Sequence, residues 1–325
     1  MPVTSVTTDL SALTMTVVAD FDAPIERLWD AYVDPRQLER FWGPPEWPAT
    51  FLRHDAFPGG RSEYLMTGPD GDISRGYWAW ERVDAPDRFV VVDGFANADG
   101  TPNDDQPTMR AEFAFSSTRS GSRLVTTSAF GSLEALEKLV DMGMEEGMRA
   151  AMSQIDAVLA DLAAFAAGQG TETRILSDTE VRVTRVVRGP VEAVWRAYQE
   201  PDLVRQWMLG PDGWTMPVCE IATEVGGTYR YEWERAEDPE GTRFGFTGEL
   251  VESEAPRRCV TTEQMIGIDG PSVRNELTLT PVEGGTLMSI VIAYPSAELR
   301  DQILATGMVD GMERSYQRLE DLVTA

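Results

Sequence analysis

Apolar and polar residues alternate through most of the first 130 positions: MTVVADF (15–21), ATFLRHDAF (49–57), RSEYLMT (61–67), SRGYWAWERV (74–83), RFVVVDGF (88–95), TMRAEFAFSS (108–117) and SRLVTTSAF (122–130). A period of two puts successive side chains on opposite faces of a strand, so each segment reads as one half-buried strand. Gly59-Gly60 and GPDGD (68–72) between them are hairpin turn signals. Two short helices interrupt the series. One opens at Ala23-Pro24, where proline suits a first turn, and the other runs from Pro35 to Phe41. After residue 132 the period lengthens, and a single long helix is expected from Leu133 to Phe165, kinked at Gly143.

The pattern then starts again. Pro24, Trp29, Tyr32 and Pro35 return 166 residues later as Pro190, Trp195, Tyr198 and Pro201. Trp47, Gly59-Gly60 and Tyr64 return at an offset of 167 as Trp214, Gly226-Gly227 and Tyr231, and GMEEGM (143–148) returns at 164 as GMVDGM (307–312). Landmarks in constant order with small drift mark a duplicated domain, and a repeat this long should enclose its own core. Domains are expected at 1–166 and 181–325, joined by a polar, glycine-containing linker at 167–180. Each is α+β: a curved antiparallel sheet around a long C-terminal helix, with two short helices near its start.

On that helix Met144, Met148, Met152, Ile155 and Leu159 form one stripe, and Met308, Met312, Tyr316, Leu319 and Val323 repeat it. The stripe must face the sheet. Plain core packing explains it by itself, but methionine adapts to irregular space and varied apolar ligands, and Gly143, Gly147, Gly307 and Gly311 remove bulk beside it. Alternation gives the sheet a matching aromatic face: Tyr64 with Met66, Trp78 with Trp80, Met109 with Phe113 and Phe115, and in the second copy Tyr229, Tyr231 and Trp233. Large rings opposite short residues leave space, so these positions are the expected lining of an apolar pocket.

APIERLWDAYVDP, ERFWGP, the Gly-Gly turn, APDRF (85–89) and GMEEGM together resemble the SRPBCC helix-grip superfamily, in its Hsp-90 ATPase activator homologue-like branch. The resemblance spans Thr14 to Leu162 and Val181 to Leu322. It implies a deep apolar pocket between sheet and C-terminal helix that takes lipids, polyketides or other hydrophobic small molecules. The second copy departs from the pattern with QWMLGP in place of RFWGPP, so the first copy is the better candidate for an intact pocket.

Charge narrows the partners. The formal net charge of −26 is shared evenly, with 13 basic and 27 acidic residues up to Gly170 and 15 and 27 beyond it. Neither half offers the positive surface that nucleic acid or anionic lipid requires. No apolar run approaches membrane-spanning length, and MPVTSVTTDL lacks the features of a signal peptide, so a cytoplasmic protein is expected.

The chemistry-bearing residues are few. His54, the only histidine, lies in phase with Leu52 and aligns with Ile221, so it should point inward as a satisfied core residue or a polar contact to ligand. Neighbouring Glu63, Arg61 and Arg82 fix no proton-transfer geometry. Cys219 and Cys259 match no zinc or redox spacing and align with Leu52 and Phe89, which points to inert packing. No nucleophile elbow, phosphate loop or dinucleotide fingerprint occurs, and NADGTPNDD (97–105) departs from the calcium-loop spacing. The leading expectation is therefore a module that binds a hydrophobic small molecule, with no catalytic residue, metal or cofactor. A cyclase, dehydratase or hydrolase using the same space comes second, and a chaperone-ATPase partner third.

Overall fold

In the computed structural model, which describes residues 2–161, 165–166 and 170–324, the alternating segments form two eight-stranded antiparallel sheets. They belong to two units, residues 1–162 and 163–325. The first runs β1 (Val3–Asp9), β2 (Thr14–Phe21), α1 (Ile25–Val33), α2 (Pro35–Leu38), β3 (Ala49–His54), β4 (Arg61–Thr67), β5 (Ile73–Asp84), β6 (Arg88–Phe95), β7 (Met109–Ser117), β8 (Ser122–Phe130), α3 (Leu133–Asp141), α4 (Met144–Ser153) and α5 (Ile155–Ala160). Its strand order is β1-β2-β8-β7-β6-β5-β4-β3. Strands β3 to β8 are a meander, and β2 closes against β8 while α1 and α2 carry the chain to the far edge.

The second unit repeats this with β9 (Glu172–Ile175), β10 (Glu180–Val187), α6 (Val191–Gln199), α7 (Pro201–Trp207), β11 (Trp214–Glu220), β12 (Thr228–Arg235), β13 (Asp238–Glu254), β14 (Arg258–Met265), β15 (Val273–Val282), β16 (Gly285–Ala293), α8 (Ala297–Ala305) and α9 (Met308–Thr324). Its order is β11-β12-β13-β14-β15-β16-β10-β9. Residues 172–175, assigned to the linker above, are edge strand β9, paired antiparallel with β10 from Ile175 opposite Val181 to Glu172 opposite Thr184. Among the described residues no helix is long and apolar enough to cross a membrane.

The expected single long helix is broken. Gly143 and Gly307 adopt left-handed φ of +86° and +79°, a region that L side chains avoid, and each separates a nine-residue helix from the one after it. In the first unit a second break at Gln154 ends α4, where the Gln154 amide donates to the carbonyls of Phe41 and Gly43 at 3.4 and 2.9 Å. In the second unit α9 continues unbroken to Thr324. Residues 162–164 of the expected helix lie outside the described residues.

The motif's two glycines therefore do different jobs. Gly143→Ala is expected to cost about 1 kcal/mol through its positive φ. At Gly147, inside α4, an added Cβ meets no atom within 4 Å. Gly147→Ala is expected to stabilise by ~0.5–1 kcal/mol. Urea denaturation of the two variants should show opposite signs.

The helices pack on one face of each sheet. Trp29 and Tyr32 of α1 meet Phe89, Phe113 and Phe115 at ring-centroid distances of 5.4–5.9 Å. Farther along, Met144 and Met148 of α4 pack with Phe95, Met109 and Phe130. In the second unit Tyr316 and Leu319 of α9 enter the main core beside Trp207, Leu277 and Met288.

Candidate functional site

Strand register lays one row of inward side chains across the first sheet. Ser62 stands opposite both His54 and Trp78, Asp93 opposite both Trp78 and Met109, and Met109 opposite Phe130. Directly opposed residues share a face of the sheet. The row passes from closed to open: Ser62 and Trp78 are fully buried, whereas Asp93 and Met109 are half-buried, as are Met144 and Met148 above them.

This separates the expected lining residues into two groups. His54, Trp80, Phe113 and Phe115 are buried in the core. The Trp80 indole donates to Ser62 Oγ (2.8 Å), Ser62 donates to His54 Nδ1 (3.0 Å), and His54 Nε2 donates to the Tyr32 carbonyl (3.1 Å). A carbonyl only accepts, so Nε2 carries the proton, and both ring nitrogens are engaged. A β-bulge between Phe51 and Arg53 also shifts the phase, so His54 shares its inward face with Phe51 and not with Leu52. Phe113 and Phe115 are closed over by Tyr32 of α1. Tyr64 is buried as well, with Trp42 meeting it edge-on at 6.1 Å, whereas Met66, Met109, Met144 and Met148 are half-buried.

In the second unit Met308 and Met312 are half-buried against Val273, Ile290 and Tyr294, and Tyr229 leans on Tyr231 at 5.0 Å. Trp233 meets Tyr231 edge-on at 6.2 Å but not the methionines. It stacks on Phe244 and donates its indole N–H to the Met208 carbonyl (2.7 Å), in a cluster with Val204 and Cys219 that Tyr231 also touches.

Two carboxyls missed by the sequence reading stand at the centre of this arrangement. Tyr64 of β4 lies across Gly76 of β5, where a Cβ would fall 2.4 Å from the phenol carbon and oxygen. The ring thereby spans a strand, and its hydroxyl points to Asp93 Oδ1 of β6 at 3.5 Å. In the second unit Tyr229 of β12 lies across Gly248 of β13, where a Cβ would sit 2.9 Å from the ring. Its hydroxyl donates to the Thr262 carbonyl (2.8 Å) and lies 3.5 Å from Glu263 Oε2 of β14. Asp93 follows Arg88 by five residues in β6, as Glu263 follows Arg258 in β14, so the two carboxyls occupy one position of the repeat. The signal was present in FVVVDGF, where Asp93 is in phase with Phe89 and Val91.

Other chemistry is sparse. Cys219 and Cys259 are unbridged, and burial pushes both thiols up, Cys259 to about 11, which removes thiolate reactivity near neutral pH. Among the described residues no group of three or more His, Cys, Asp or Glu is placed to hold a metal ion.

The family described as activator of Hsp90 ATPase homolog 1-like protein matches twice, over residues 22–160 and 188–324. The chain belongs to this family in two tandem copies. Solved structures similar to it include a Mycobacterium smegmatis protein, 48% identical, covering 49% of this chain and 98% of its own, with a TM-score of 0.47. An Arthrobacter aurescens protein is 46% identical over 49% of this chain and 92% of its own, with a TM-score of 0.47. A Rhodobacter sphaeroides protein is 30% identical over 48% and 98%, with a TM-score of 0.45. Comparison with curated proteins returns no match.

In this member of the Hsp90 ATPase activator homolog 1-like family, burial dominates the titration of both inner carboxyls. It raises Asp93 to about 7 against the opposing effects of Trp78 and Tyr64, and raises Glu263 against those of Asn275 and Tyr229. The folded chain therefore holds a proton at Asp93 that the unfolded chain releases near pH 4, so this group lowers stability as pH rises from about 4 to about 7. Asp93→Asn is expected to match the parent near pH 4 and exceed it by an amount on the order of 3 kcal/mol above pH 7. Urea denaturation across pH 4–8 reads that widening gap.

Proposed function

We propose that each domain binds a hydrophobic small molecule between the inner face of its sheet and its C-terminal helices. The observation that carries this reading is the incomplete burial of Met109, Met144 and Met148 over buried Met15 and Phe130, repeated by Met308 and Met312 against Val273 and Tyr294. Apolar side chains that converge without closing, supplied by flexible and polarisable methionine, suit an adaptable apolar ligand. His54 is spent on core hydrogen bonds and gives the first copy no advantage, which leaves the RFWGPP loop as its distinction, and we read both domains as binding sites. The family's description names activation of a chaperone ATPase, but neither domain's geometry argues for that over ligand binding.

Titration of the full chain with Nile red should show saturable fluorescence with about two equivalents bound. Native mass spectrometry of gently purified protein should show displaceable small molecules. Met148→Trp with Met312→Trp should fill both spaces and abolish the signal. No saturable binding by the parent chain would refute the reading.

A further inference from the structure

The two domains differ where one ring stands. In the first, Phe89 of β6 meets Trp29, Tyr32, Trp78, Trp80 and Phe113 at ring-centroid distances of 4.5–6.2 Å, and these rings close the middle of the sheet under α1. Strand register puts Cys259 of β14 in the place of Phe89, with Gly248, Leu250 and Leu277 in the places of Trp78, Trp80 and Phe113. Of this group only Trp195 and Tyr198 of α6 keep their rings. Tyr316 and Trp207 are larger than their counterparts Met152 and Phe41, yet they do not close the gap. Phe89, Val91, Tyr32, Ala111 and Thr126 are each at most 1% exposed, whereas Cys259, Thr261, Tyr198, Asn275 and Ile290 in the same places are all half-buried. Burial still pushes the Cys259 thiol and the Tyr198 hydroxyl up, so these groups face the interior and not bulk water. Cys259 touches both the cluster of Leu277 and Tyr316 and that of Tyr229 and Leu250, while Ile290 and Met312 join the former to the cluster of Val181 and Tyr294. Protein interiors are close-packed, so accessible surface where such clusters meet marks an unfilled space.

The first domain shows what fits such a space, because its own phenyl ring fills it. In the second domain Leu250 and Leu277 flank the position, and Trp195 and Tyr198 pack in the same cluster as Cys259. A ring placed there gains buried apolar area and contacts with two aromatic neighbours. A charged group would give up its water against leucine and isoleucine. We infer that the second domain seats an uncharged aromatic ring of its ligand against Cys259, in the place that the Phe89 side chain occupies in the first domain. Ile290 and Met312 connect this seat to Met308, so the ring is the inner end of a longer apolar ligand. The first domain, shut by Phe89, takes its ligand only beside its methionines. This rests on the binding reading above and makes Cys259 the residue that sets how deep a ligand enters.

Cys259→Phe gives the second domain the first domain's own side chain. In a filled core that enlargement forces strain, but an open seat accommodates the ring, so the urea midpoint of the second domain should equal or exceed the parent's. Fluorine NMR titration of the full chain with 4-fluorobiphenyl should show binding to the parent, and Cys259→Phe should weaken the tightest site by about tenfold or more. Cys259→Leu, which fills less of the seat, should weaken it by a smaller factor. A lowered midpoint or misfolding of Cys259→Phe, or an affinity that neither substitution changes, overturns the seat. So does a parent that binds Nile red but not 4-fluorobiphenyl, and in each of these cases the apolar site stands. If the parent binds neither probe, both readings fall.

Discussion

Trp78→Ala is expected to lower the unfolding free energy of the first domain by about 3–5 kcal/mol. Trp78 has no exposed surface, and its ring lies 4.6 Å from Trp42, 5.7 Å from Trp80, 5.9 Å from Phe51 and 6.0 Å from Phe113. It therefore joins the edge-strand side of the core, through Phe51, to the rings that pack on α1. The indole N–H has no partner at good hydrogen-bonding geometry, although it lies close enough to Asp93 to favour that carboxylate, so the loss is chiefly one of packing. Trp78→Phe, which keeps most of the ring and removes the unpaired N–H, should cost only about 1 kcal/mol. Urea denaturation, with amide exchange in β5 and β6 to assign the transition, distinguishes the two. A similar loss for both would mean that the N–H has a structural partner.

The same site shows what the sequence could and could not convey. Alternation and turn residues are local, so the inward phase of Trp78, Phe113 and Met109 was readable, as were the meander and the duplication. Register is not local. Nothing within RSEYLMT or SRGYWAWERV says that Ser62 faces Trp78, or that the equivalent pair in the second copy is Tyr229 and Gly248, with the ring supplied from the other strand. A position-by-position comparison of the copies sees two unrelated changes there, where one aromatic has been exchanged across a pair.

Asp93 and Glu263 were missed for the same reason, since their tyrosines reach them across an intervening strand. His54 was misphased because one extra residue at a bulge reverses every later side chain. Strands β1 and β9 were overlooked because edge strands bury little, and VTSVTTD and ETRI carry almost no inward apolar pattern. The breaks after α3 and α8 were partly legible. Glycine 143 gave a kink, but a left-handed residue that ends one helix and starts another is a backbone state that periodicity does not encode.

Arg258→Ala is expected to destabilise the second domain by about 3–5 kcal/mol, although its counterpart Arg88→Ala should cost no more than ~1 kcal/mol. The two arginines occupy one position of the repeat, each at the start of its strand. Arg88 has a side chain 36% exposed and pairs with Asp84 at 3.1 Å and Glu112 at 3.8 Å, where water screens it. Arg258 has 2% exposure, with Nε donating to Glu276 at 2.8 Å and Nη1 to Glu252 and Glu254 at 2.7 and 2.8 Å.

Glu252 stands where the first copy has Arg82, so the second copy adds an acid as it buries the base. Removing Arg258 leaves three neighbouring carboxylates, with buried Glu276 still paired with the half-exposed Arg274 at 2.8 Å. The Arg258 hydrogen bond holds the Glu252 carboxyl below its ordinary range. A depressed carboxyl contributes stability that is complete at neutral pH and is lost as pH falls through the lowered value. The gap between parent and Arg258→Ala should thus be widest at neutral pH and narrow below about pH 4, as the stranded acids take up protons. A gap independent of pH would mean that Arg258 acts through its packed side-chain stem and not its charge.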